Sequence, residues 1–167
     1  MRQWLFLACL IIAPITGAQA GSRSCYDSGD LEAEMIVRLH SELMVVTLAC
    51  RTSSTGIPLP PSYTGFTQKY LQWIKSAESR LMAWYRKNGS KGPQAKLDLL
   101  RTDMGNAYSQ ELADLSPGGF CGKYRDITAK AAHWSREDVR SKLSILSAAY
   151  PSRAPLCKPK HQARLAE

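Results

Sequence analysis

The residues best equipped for chemistry in this chain are few. His40 sits in RLHSELMVVTLAC (Arg38 to Cys50), among residues that otherwise read as a buried helix. A neutral imidazole lies in a core when one ring nitrogen donates and the other accepts. The pattern therefore predicts a satisfied buried or half-buried polar residue. A ligand, pH-sensing or catalytic role requires a second group from another element. His133 is the other histidine outside the tail. With His40 and with Met35, Met44, Met82 and Met104 it makes a haem or metal bundle one alternative reading, although Met at helical spacing ordinarily fills core. No metal ligand set and no cofactor is expected.

Carboxylates for a cell-wall-directed hydrolase require two acids at a defined separation across a cleft. Glu111 is the candidate of interest, because it continues the stripe Leu97, Leu100, Met104, Tyr108. It is either buried against a basic partner or flanks the stripe. Glu34, Arg38 and Glu42 stand at i, i+4 steps and read as exposed ion pairs. The sequence contains no G-x-S-x-G, no S-x-x-K and no H-E-x-x-H, so no catalytic motif supports an enzyme. Trp73 and Trp84 interleave with Lys69, Lys75, Arg80, Arg86 and Lys87. Aromatics set among cations suit a binding face for an anionic or peptide partner; core aromatics covered by basic side chains give the same pattern. The binding candidates are therefore Trp73, Lys69, Arg80, Trp84 and His40.

Helices must position these groups. Asp27, Ser28 and Asp30 offer caps for a first helix from about Asp30 to Arg51. Opposite a narrow strip of Glu34, Arg38, Ser41 and Glu42 lie Met35, Ile36, Leu39, Leu43, Val46 and Cys50, which suits a central helix. TSSTGIPLPPSYTG reads as a loop. A second helix is expected over about Thr64 to Lys87, with the stripe Phe66, Tyr70, Ile74, Ala77, Leu81. Asn88-Gly89 ends it at a left-handed glycine. Pro93 opens a third helix that SPGG (Ser116 to Gly119) stops near Leu115. The last segment, Phe120 to Tyr150, is expected to break near Ser135, where Ser135 and Asp138 form a capping box.

Those elements predict an all-α fold, an up-down-up-down four-helix bundle with its last helix broken. Alternating helix directions bring Cys50 and Cys121 to one end and Cys25 and Cys157 to the other, so two disulfides with that pairing are expected. No C-x-x-C is present.

The first twenty residues read as a cleaved secretory signal peptide: a positive start, an apolar run from Leu5 to Ile15 too short to span a bilayer, and Ala18-Gln19-Ala20 before the cut. Residues 21–157 form one helical domain and 158–167 a flexible basic tail. Arg2 is the only charge in the leader, so the remaining 147 residues carry a net +7. Basic charge in an exported chain points to an envelope protein or an anionic envelope polymer. No nucleic-acid motif and no later membrane span is seen. The expected function is that of an exported, periplasmic or secreted, helical binding or adaptor protein: an inhibitor, a chaperone-like protein or an assembly component.

Overall fold

In a computed structural model, residues 24–158 are described. The expected leader (residues 1–20) and the tail beyond Lys158 lie outside them. The described residues are all-α, with five α-helices in place of the four expected. No helix among them is long and apolar enough to cross a membrane.

α1 (Ser28–Cys50) starts two residues earlier than expected. Asp27 is its N-cap, and the Asp27 and Asp30 carboxylates each accept from the other's amide. Two of the otherwise orphaned N–H groups are thereby satisfied. The helix is central: Met35, Leu39, Leu43 and Val46 are all 2 % exposed or less. The polar strip, however, does not face water. Glu34, Arg38 and Ser41 are buried and Glu42 is half-buried, because the C-terminal segment and the last helix cover that side. The expected exposed ion pairs are thus corrected to a buried one.

The expected second helix is two. α2 (Leu59–Lys69) begins inside the segment read as a loop, since prolines at the first helical positions lack only N–H groups that no helix start uses. It ends at Tyr70, and α3 (Leu71–Lys87) continues from there. The stripe Phe66, Tyr70, Ile74, Ala77, Leu81 is buried throughout, so one apolar face survives the break. Gly89 takes φ +80° past the end of α3.

SPGG stops the first helical arm at Leu115, as expected, and α4 (Pro93–Ala129) is two helical arms joined across a kink. Ser116 adopts φ 62°, ψ 159°, and helix resumes at Pro117. An L-residue there carries strain of roughly 1–3 kcal/mol, and the following proline favours the extended ψ. Glu111 on the first arm holds the second arm across this break. It accepts from Lys123 Nζ at 2.6 Å and lies 2.8–2.9 Å from the Tyr124 hydroxyl. A 3₁₀ turn (Ala131–His133) leads to Ser135, whose hydroxyl accepts from the Asp138 amide and caps α5 (Arg136–Ala149).

The disulfides are Cys25–Cys157 and Cys50–Cys121. Beside the first, Tyr26 N–H donates to Pro155 O (2.8 Å) and Cys157 N–H to Tyr26 O (2.9 Å). Beside the second lies a small core of Val46, Leu59, Tyr108, Phe120 and Ala129.

Candidate binding sites

The structure gives His40 partners on α2. Its Nε2 lies within hydrogen-bond distance of the Tyr63 hydroxyl (3.0 Å) and of Thr67 Oγ1 (3.3 Å), and the Tyr63 ring stacks on it. Burial lowers its pKa, Glu78 opposes that shift and Arg101 adds to it. His133 is exposed and lines a separate cavity with Ser53, Ser54 and Asp126. The two histidines share no partner among the described residues. Among the described residues no cluster of three His, Cys, Asp or Glu could hold a metal ion. Met35 and Met104 are fully buried core.

Because burial lowers the His40 pKa on folding, its contribution to stability is whole above the unfolded-state pKa of 6.5 and shrinks as pH falls below it. The thermal midpoint of wild type should therefore drop between pH 7 and pH 5 by more than that of His40→Gln. Parallel curves for the two proteins would assign the ring no such role.

The aromatic-basic residues of the second helical segment do not form one free face. Lys69 Nζ donates to the Trp134 carbonyl (2.6 Å), as does the Tyr70 hydroxyl (2.7 Å). Trp73 Nε1 donates to Glu32 (3.2 Å), and the Arg136 guanidinium lies over its ring. Arg80 binds Asp27 and Asp30 at 2.7–2.8 Å. Gly29 makes room for it, since a Cβ there would stand 2.7 Å from Arg80 Cζ. Trp84 packs edge-on against Tyr26 and its Nε1 is 3.4 Å from Cys25 O. Trp73 and Arg80 line one shallow groove; Lys69, Trp84 and His40 stand elsewhere. Each of the five is tied into the fold.

Two other features have chemistry to spare. One is the α3–α4 turn. Arg86, Lys87, Lys91 and Lys96 are all exposed and make no ion pair among the described residues. No acid occurs between Glu78 and Asp98. Arg86 and Lys87 complement the C-terminal end of α3. Lys96 instead sits in the first turn of α4, whose N-terminus has neither a side-chain cap nor an acid. There it opposes the helix dipole, so helix stability does not explain it. Lys96 shares a depression with Tyr85, Leu99 and Arg153. The Trp84 contact to Cys25 places the turn at the Cys25–Cys157 end, from which exposed Lys158 continues. Leu99 and Leu156 at this pole are 50 % and 55 % exposed. The signal of this pole in the sequence is the acid-free run itself.

The other feature is a cleft of about 250 Å³ between α1, the second arm of α4 and α5. Leu39, Ile127, Ile145, Leu146 and Ala149 form its walls, with Glu42, Lys123 and Lys142 among its polar groups. The Tyr108 hydroxyl donates to Glu42 Oε2. Burial pushes the Glu42 pKa up, more than the Tyr108 hydrogen bond and Lys142 pull it down. Burial also raises the Tyr124 hydroxyl to about 12. Glu111, with its oxygens taken up by Lys123 and Tyr124, works as a clamp on the α4 bend. No family model, no curated protein and no solved structure matches the chain.

Proposed function

We propose that the chain is an exported, non-catalytic binding or adaptor protein of the cell envelope that meets an anionic partner through its basic pole. It is built, in this reading, as an up-down-up-down bundle in which α2 and α3 form one descending arm. Two disulfides suit an oxidising compartment, and the signal-like leader supplies the route. The observation that carries the reading is the unneutralised charge of Arg86, Lys87, Lys91 and Lys96 around an uncapped helix start. Lys96 neither pairs nor favours its helix, and a partner that neutralises it together with its unpaired neighbours explains its place.

The test is sedimentation with phosphatidylglycerol vesicles and with a soluble polyphosphate, set against phosphatidylcholine vesicles. Binding to the two anionic probes should weaken steeply with salt. Each basic residue near such a surface contributes about 1 kcal/mol. Lys87→Glu/Lys91→Glu/Lys96→Glu should therefore lower affinity at least a hundredfold, by about 3 kcal/mol or more, with little net shift of the unfolding midpoint, since the dipole interaction lost at position 87 is offset by the one gained at position 96. Equal binding to neutral and anionic vesicles, or an unaffected triple variant, would overturn the reading.

A further inference from the structure

We propose that the cleft between α1, the second arm of α4 and α5 binds a single-chain amphiphilic anion, a carboxylate bearing a short alkyl tail. This goes beyond the basic pole, with which the cleft shares no residue.

The apolar half of the site is surface the fold leaves uncovered. Ile127 and Ile145, on different helices, are 40 % and 58 % exposed, yet both line the same concave space with Leu39, Leu146 and Ala149. Paired apolar walls in a concavity are what a ligand tail covers. The volume, about 250 Å³, is below the range of about 300–1,000 Å³ typical of drug-sized ligands. One short tail fits that space; a two-tailed lipid does not.

The polar half sets the charge of the headgroup. Lys142 lines the cleft and makes no ion pair among the described residues. Lys123 lines it too, held by Glu111. Glu42 is the only acid in the lining; its Oε1 has no donor among the described residues, and burial favours its neutral form. Glu111 already neutralises Lys123, so the charge left for a headgroup is that of Lys142. Lys142 supplies the charge for a carboxylate headgroup. A cationic amphiphile meets the same walls with the wrong sign.

Decanoate below its micelle concentration is the probe, titrated by calorimetry into the full chain. Saturable 1:1 binding is expected, with decyltrimethylammonium, the same tail with the opposite charge, at least tenfold weaker. Lys142→Ala should weaken decanoate about tenfold, the loss of one charged hydrogen bond. Ile145→Glu should abolish binding. Both positions lie at the surface of α5, and an unchanged circular dichroism spectrum confirms that each variant is folded. The triple variant at the basic pole should bind decanoate like wild type, which separates this site from the reading above. The proposal is overturned by an absence of saturable binding, by equal affinity for the two amphiphiles, or by an unaffected Lys142→Ala.

Discussion

Replacing Arg38 with Met alone should cost about 3–5 kcal/mol of stability, the loss expected when one member of a buried ion pair is removed. Glu34 is 0 % exposed and Arg38 7 % exposed. Arg38 Nη2 donates to Glu34 Oε1 at 3.2 Å, and the guanidinium lies over the Tyr150 ring, 4.9 Å from its centre. The other Glu34 oxygen accepts from the Arg153 amide at 3.1 Å, and Arg153 in turn pairs with Asp103 on α4. With Arg38 gone, a carboxylate stays in the core with one backbone donor. Two apolar residues of similar shape leave no such charge, so Glu34→Leu/Arg38→Met should be more stable than Arg38→Met. Urea midpoints of the three proteins decide the matter. A double variant less stable than the single would mean that the Glu34–Arg153 link outweighs the charge.

That pair also shows where a sequence stops being readable. Glu34 and Arg38 stand at a spacing that is almost always a surface pairing. Nothing within a helical turn signals that a residue 119 positions away will close over them. Local chemistry, by contrast, was legible. Ser135 and Asp138 form their capping box, Gly89 takes its left-handed turn, and the stripe from Phe66 to Leu81 is buried. Proline and serine breaks fall between these cases. Pro60 and Pro61 block a helix interior yet suit a helix start. Ser116-Pro117 interrupts the helical dihedrals at one residue, and Glu111 holds the two arms together across the gap.

The candidate sites divide in the same way. Trp73, Arg80 and Lys69 were conspicuous by residue type, but type does not reveal that Glu32, Asp27, Asp30 and the Trp134 carbonyl engage them. The acid-free run from Ser79 to Leu97 was visible in the sequence. Its meaning depended on finding Lys96 at the wrong end of a helix. The cleft could not have been read at all, because Glu42, Lys123 and Lys142 meet only through the bend at Ser116 and the break before Ser135.

The cysteine pairing is a long-range feature that the sequence did make legible, and removal of the bridges is the other large expected effect. Cys25–Cys157 closes a loop of 132 residues and Cys50–Cys121 one of 71. In the chain-entropy treatment they stabilise the fold by about 5 and about 4 kcal/mol, against a total of about 5–15 kcal/mol for a domain of this kind. Cys25→Ala/Cys157→Ala should therefore unfold at lower urea than Cys50→Ala/Cys121→Ala, and reduction of both bridges should leave the chain largely unfolded. The contacts beside each bridge reinforce that order. The first holds the Tyr26–Pro155 and Cys157–Tyr26 hydrogen bonds in place, and through Arg153 it bears on Glu34. Loss of the first bridge should then couple to Arg38→Met, the combined variant differing from the sum of the two effects by about 0.5 kcal/mol or more. The second bridge fastens α1 beside Phe120, which is 0 % exposed and keeps its place by packing as well. If the Cys50–Cys121 variant proves the less stable, anchoring the α4 bend contributes more than the difference in loop length.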